Sequence, residues 1–199
     1  MDFDPAKLST SAVYALMIRA ITPRPIAWIS TQSPTGQLNL APFSYFAGVG
    51  SNPPTVMVSI ANRPSGDKKD TLRNIEATGE FVVNIVPAQL AQAMVRTADE
   101  LPYGESEFMH AGLATAPSQL VRPPRVASAP IQLECRALEI VRIGQGGSAA
   151  NAVFGQIVWF HVADEVLTAD HKIDPALVDS VGRMGGLSYC HTRERFELK

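Results

Sequence analysis

Short apolar runs, some alternating and some continuous, are separated by proline and glycine clusters along most of the chain and predict strands rather than long helices. "PIAWIST", residues 25–31, is rich in β-branched and aromatic residues and stops at the turn signal "QSPTGQ". "LNLAPFSYF", 38–46, follows and completes a predicted hairpin. Beyond the punctuating "SNPP" comes the strand "TVMVSIA", 55–61, and then the polar loop "RPSGDKK". "DTLRNIEAT", 70–78, reads as a short helix with Asp70 at its N-cap and Gly79 just past its end. Leu72 and Ile75, three positions apart, would face the core together.

"EFVVNIV", 80–86, is another strand, and "PAQLAQAMVRTADEL", 87–101, reads as a helix with Pro87 near its first turn, where a missing N–H costs nothing. "ESEFMHAGL" adds one more helical turn. Four prolines in 115–130 mark an extended surface connection. Two long strands follow, "IQLECRALEIVRI" and "AVFGQIVWFHVAD", on either side of "GQGGSAAN". In the first, Leu133, Cys135 and Ala137 share one face, and Glu134, Arg136 and Leu138 the other. "HKIDPALVDSVGR" links to "MGGLSYC" and a charged tail, and no fixed-period repeat occurs. Turns rather than regular helices join the strands, which argues against a parallel βαβ sheet. The expected architecture is one mainly β domain over residues 1–199, a closed or nearly closed β-barrel with peripheral helices whose closure hides strand edges.

Composition narrows the classes. Of 199 residues 46% are hydrophobic and 18% charged, enough to build a sizeable core and too apolar for disorder. The net charge of −2 is spread over interspersed acids and bases, so neither nucleic acid nor a membrane surface is an expected partner. No apolar stretch reaches the roughly 20 residues that span a bilayer. The acidic start "MDFDPAKLST" lacks the features of a signal peptide. Two cysteines, Cys135 and Cys190, lie far apart in no metal-like spacing, so neither a disulfide scaffold nor a metal site is expected, and a cytoplasmic location is.

Nucleophile-elbow, zincin, Walker and dinucleotide-binding motifs are all missing. His110, His161, His171 and His191 are scattered, which suits surface or packing roles. "GQGGSAAN" has the glycine content of a phosphate loop, but its place between two long strands suits a flexible hairpin. What remains is a set of donors near strand ends: Arg24, Asn39, Ser44, Ser59, Arg63, Lys69 and Thr71. In "ITPRPIAWIS" two prolines stiffen the backbone on either side of Arg24, which is either a solvated charge at a strand entry or a cation held for a ligand. Thr71 lies at a helix start, where free N–H groups favour an anion. Asp70 competes for the same field, and "KKDT" also reads as a plain capped helix.

In order and spacing, "ITPRPIAWIST…G…NLAPFSYF…NPPTVMVSI…RP…KDTLRNIEATGEFVVNIV" resembles the flavin reductase-like family, the FMN-binding split barrels. The resemblance continues through "FMHAGL", "PPRVASAPIQLECR" and "VGRMGGLSYC" and so spans nearly the whole chain. It implies a split β-barrel that forms a homodimer with FMN near the subunit interface. By the same resemblance Asn39, Leu40, Ala41, Pro42, Phe43 and Ser44 run along the isoalloxazine ring, largely through backbone groups. Ser59 and Ile60 meet the ribityl chain and phosphate, and Arg63, Lys69 and Thr71 cradle the phosphate. Arg24 meets a fixed anionic or carbonyl group of the flavin. Gly185, Gly186 and Tyr189 border the exposed flavin face where a nicotinamide would lie, although the two glycines also suit a plain turn.

The implied activity is reduction of flavin by hydride from NADH or NADPH, with reduced flavin supplied to a partner monooxygenase. In such a reaction the cofactors carry the reactive atoms, which accounts for the lack of an acid–base or nucleophilic constellation, and no catalytic side chain is expected. The rival reading is a non-catalytic flavoprotein that holds FMN as an electron carrier.

Overall fold

The computed structural model describes residues 1–198 apart from Tyr103. Among the described residues five short α-helices occur: α1 (Thr10–Ala20), α2 (Asp70–Thr78), α3 (Ala91–Arg96), α4 (Glu107–His110) and α5 (Pro175–Val178). Strands β1 (Ala27–Gln32), β2 (Leu38–Phe43), β3 (Phe46–Ser51), β4 (Pro54–Ala61), β5 (Glu80–Ile85), β8 (Ile131–Ile143) and β9 (Ala150–Val162) form one antiparallel sheet. Its order is β2-β1-β5-β8-β9-β4-β3. Strands β6 (Thr115–Ala116) and β7 (Arg125–Val126) form a small ladder, and β10 (Val181–Arg183) and β11 (Tyr189–His191) another.

The predicted hairpin 38–46 breaks in two. β2 pairs with β1, but after Ser44 and Tyr45 the chain enters β3, which pairs with β4 at the opposite edge of the sheet. Among the described residues no ladder joins β2 to β3. That corner carries the chain across the gap and is tied to β4 by Ser59 N–H donating to Tyr45 C=O at 2.8 Å. The sheet therefore curls into a barrel with one open seam.

β1 is buried on both faces. Ala27 and Ile29 point inward to a core shared with Phe81, Val83, Leu133, Cys135 and Val153. Ile26 and Trp28 point outward to a second core with Leu40, Met94, Phe108 and Val126. This explains why 25–31 reads as a continuous apolar run. Leu72 and Ile75 of α2 pack into the first core, as their spacing predicts. The expected helix over 87–101 is shorter. A 3-10 turn precedes α3, and Thr97 then ends it, its hydroxyl donating to Met94 C=O at 2.7 Å while accepting the indole N–H of buried Trp28 at 2.8 Å. The sequence reading missed α1, which Ser9 caps through the Ala12 N–H.

The alternation read in β8 holds for Leu133 and Cys135, but Glu134 on the other face is not a solvated charge. It is fully buried under the 117–124 segment. Its carboxylate accepts the Gln119 and Leu120 N–H groups at 2.6 Å each and meets His161 Nε2 at 2.6 Å. Burial alone would raise its pKa, but the bonds from His161 and the two amides outweigh burial and hold it below the usual carboxylate range. A depressed folded pKa stabilises the fold above the unfolded value, and the contribution is lost as pH falls through the folded one. Glu134→Gln is therefore expected to cost about 2 kcal/mol at neutral pH. Urea titrations of both proteins should show that gap narrowing below about pH 4. A gap constant over that range would contradict the assignment.

Candidate functional site

The segment between β4 and α2 gathers the residues that the sequence marks as a candidate phosphate cradle. Contrary to the sequence reading, the N-cap of α2 is Lys69, which supplies no side-chain cap, and Asp70 is the first helical residue. Asp70 turns instead to Arg63 at 3.0 Å and Arg73 at 3.2 Å, because an arginine lies on each side of it. Among the described residues no side chain caps the first N–H groups of α2, and the helix field favours an anion there.

The Lys69 ammonium lies 5.7 Å from the centre of the Phe43 ring and has no carboxylate within ion-pair distance among the described residues. Partial desolvation and then neighbouring Arg63 lower its pKa, with Glu100 opposing. Because Lys69 as a whole is exposed, water offsets that shift and the residue stays cationic at neutral pH. Thr71 Oγ1 accepts Asn39 Nδ2 at 2.9 Å, which leaves its own proton to give. These groups line a pocket of ≈ 110 Å³ floored by Ala41 and Pro42 of β2. Asp99, Glu100 and Glu107 line it as well. Burial raises the pKa of Glu107, whose carboxylate accepts the Leu40 N–H at 2.9 Å.

Pro42 and Ala98 also border a larger cleft of ≈ 580 Å³, so cradle and cleft form one continuous trough along β2. The cleft is lined by Phe43 and Ser44 on one side, by Tyr14 and Ile18 of α1 on another, and by Gly186 and Tyr189. Its size suits a flat ring, and its walls mix apolar side chains with Arg24, Asp99 and Arg183. Gly186 has φ +57° and open space where a Cβ would stand, so it leaves the cleft mouth clear.

Arg24 borders the cleft, and its guanidinium is engaged by the protein's own acceptors. It is 4% exposed, and its Nη1 donates to the carbonyls of Ile18, Ile21 (2.8 Å) and Met184 (2.8 Å). Its Nε reaches Ser44 Oγ at 3.3 Å, and its backbone exchanges two hydrogen bonds with Arg183. The stiff proline-flanked lead-in thus holds a cation against the carbonyl end of α1 and against the β10–β11 hairpin, two elements that wall the cleft.

Other predicted residues also fall differently. Leu40 and Ile60 are fully buried, their side chains in the two cores. The Leu40 N–H and the Ile60 carbonyl are taken by Glu107 and Asn151. Ser59 lies on the outer face of β4 and does not line the trough, because its neighbours Val58 and Ile60 take the inward positions. Gly185 packs against α1, where a Cβ would come within 3.0 Å of Arg19 Cγ. Sequence reasoning missed Tyr14, Ile18, Met94, Val95 and Arg183, which also line the cleft. A serine before "AVYALMIRA" was the available sign of α1.

Residues 18–188 match the family model described as a flavin reductase like domain. The chain belongs to the flavin reductase-like family. A relative from Deinococcus radiodurans is 43% identical, with 98% of this chain and 88% of that protein covered. Among solved structures, nitrilotriacetate monooxygenase component B from Bacillus cereus is 34% identical with a TM-score of 0.94, covering 100% of this chain and 98% of the other. A split-barrel protein from Shewanella frigidimarina is 25% identical with a TM-score of 0.83, covering 100% and 98%. The seamed sheet is thus the split barrel of the flavin reductase-like family. The matched span contains the whole cradle and all of the cleft except Tyr14 and Tyr189.

Among the described residues no group of three or more His, Cys, Asp and Glu could hold a metal ion, and no helix is long and apolar enough to cross a membrane. Cys135 is buried, and burial pushes its thiol pKa up, which suits packing rather than thiolate chemistry.

Proposed function

We propose that this flavin reductase-like protein binds FMN in the trough, reduces it with NADH or NADPH, and passes reduced flavin to a partner monooxygenase in the cytoplasm. The observation that carries the reading is the continuity of an anion cradle with a ring-sized cleft along β2. The donor set fits FMN: Lys69, the Thr71 hydroxyl and the uncapped start of α2 are unspent donors suited to a phosphate. Pro42, Phe43 and Ser44 would run beside the ring.

Bound FMN supplies the hydride-accepting ring. The chain's own work is to hold the phosphate end, to keep one ring face open at Gly186, and to exclude water with the apolar walls from Ile26, Met94 and Leu187. The partner monooxygenase is suggested by likeness to the component B protein of Bacillus cereus. Adding NADH or NADPH anaerobically to the FMN-loaded protein should bleach the flavin's visible absorption within the mixing time of a stopped-flow experiment. A stable oxidised spectrum with both nucleotides would favour the rival electron carrier.

We also propose a homodimer. The outer face of β3, β4, β9 and β8 carries Ala47, Met57 and Phe154 in one cross-strand row and Ser59, Ala152 and Val141 in the next. Val49, Leu138, Val141 and Ile143 are exposed on these strands. The first row ends on Glu139, and a second layer over the apolar part of this face would remove it from water. A second copy on this face would bring Ser59 into the interface. Light scattering at micromolar concentration is expected to give about twice the 21.4 kDa chain mass. A monomer mass with FMN bound would count against it.

A further inference from the structure

The glycine-rich stretch "GQGGSAAN", 144–151, runs from the end of β8 into β9 and lines no part of the flavin trough. It presses instead on the loop between β4 and α2, which carries Arg63. A 3-10 turn over Gly146–Ser148 makes the contact. A Cβ on Gly147 would stand 2.9 Å from the Pro64 carbonyl carbon and closer still to its oxygen, so only glycine permits this approach. Two asparagines complete the joint. Asn151 is buried, and its Nδ2 donates to Ile60 C=O at 2.9 Å and to Asn62 Oδ1 at 3.0 Å. Asn62 Nδ2 in turn donates to the carbonyls of Gly66 (3.1 Å) and Gly146 (3.3 Å), and its backbone N–H donates to Ala149 C=O at 3.0 Å. The loop closes on itself through Arg63 N–H to Asp67 C=O and Gly66 N–H to Arg63 C=O, each at 2.8 Å. Arg63 thus leaves a loop that the β8–β9 turn holds from behind.

We propose, resting on the reading of the trough as an FMN site, that this turn is a brace that positions Arg63 and so sets the preference for a phosphorylated over an unphosphorylated flavin. The physical link is Asp70. Its carboxylate stands at the start of α2 on the wall of the cradle, where it would repel a phosphate, and Arg63 Nη2 covers it at 3.0 Å. Arg73 reaches the other carboxylate oxygen at 3.2 Å, but its side chain is 43% exposed against 27% for Arg63, so water screens it more. Displacing Arg63 would uncover the Asp70 charge beside the phosphate. The ring cleft takes none of its lining from residues 62–69, so a flavin without a phosphate should be nearly indifferent.

Anchoring decides which side yields when bulk is added at the joint. Ala149 and Asn151 behind the turn are buried, whereas Pro64 on the loop is exposed. In Gly147→Ala the added methyl therefore pushes the cradle loop and Arg63 with it.

Fluorescence-quenching titrations of the full chain with FMN and with riboflavin test the brace. Gly147→Ala is expected to weaken FMN about tenfold and riboflavin by less than about twofold. Asn62→Ala removes the joint without adding bulk, should act in the same direction to a smaller extent, and decides the outcome if Gly147→Ala does not fold. Gly146→Asn is the control on the same turn. Its φ of +69° is one that asparagine tolerates, nothing lies within 4 Å of a Cβ there, and both flavins should bind as they do to the unaltered chain. In an Asp70→Asn background the Gly147→Ala loss should shrink to less than about twofold, because the charge that Arg63 covers is gone. An unaltered chain that holds FMN no more tightly than riboflavin would overturn the cradle reading and the brace with it. Where the unaltered chain does prefer FMN, four results would each overturn the brace alone: a preference unmoved in Gly147→Ala and Asn62→Ala, an equal loss for both flavins, an equal loss in Gly146→Asn, or a loss undiminished in the Asp70→Asn background.

Discussion

Lys69→Ala is expected to weaken FMN by about ten- to a hundredfold while leaving riboflavin nearly unchanged. A hydrogen bond to a charged group is worth roughly 1.5–3 kcal/mol, and that is the corresponding range in affinity. Lys69 is the cradle cation most available to a ligand, because Arg63 is already held by Asp70 and by the Lys68 carbonyl. Thr71→Val should show the same discrimination with a smaller loss, since it removes a neutral donor. Asp70→Asn should bind FMN equally or more tightly, as it removes a carboxylate beside the cradle and releases Arg63. Fluorescence quenching titrations with the two flavins read all three variants. Riboflavin lacks the phosphate, so an equal loss for both flavins in Lys69→Ala would mean that "KKDT" is only a helix start.

Arg24→Met should destabilise the protein by about 3 kcal/mol or more in urea, and Arg24→Lys should recover only part of that. The guanidinium is almost fully enclosed and gives Nη1 to three carbonyls on two different elements, so removing it strands buried acceptors. A lysine ammonium cannot reproduce that fork together with the Ser44 contact. The loss should be accompanied by weaker binding of FMN and riboflavin alike, because α1 and the β10–β11 hairpin both wall the ring cleft. Unchanged stability with a loss confined to FMN would make Arg24 a ligand of the flavin rather than a tie between α1 and the hairpin. The two predictions are complementary: Lys69 should discriminate between the flavins and Arg24 should not.

The elements with strong local patterns were legible without coordinates. β1, β4, β5, β8 and β9, the short helix α2 and its buried Leu72 and Ile75 follow from β-branched runs, punctuating glycines and prolines, and one clear three-residue spacing. The barrel class follows from strands joined by turns, and the family from the order of its motifs, which the match over residues 18–188 shows. By the family resemblance Arg63, Lys69 and Thr71 are the phosphate cradle and Asn39 and Pro42 run along the ring, and the structure brings all five to one pocket.

What the tertiary structure alone decided is how each of those groups is spent. Asp70 at a predicted N-cap and Arg24 between two prolines both look free in sequence, because their partners lie elsewhere in the fold: Arg63 for one, and the carbonyls of Ile18, Ile21 and Met184 for the other. Glu134 reads as an outward charge because alternation reports only which side of a strand a residue takes. It cannot report that the 117–124 segment will cover that side. Ser59 matches the motif yet stands outside the trough, since the curl of the sheet sets which face of β4 looks inward. Local sequence determines element type because propensity and periodicity are nearest-neighbour effects. The state of a charge is determined by desolvation and by partners distant in sequence, and those exist only once the chain has closed on itself.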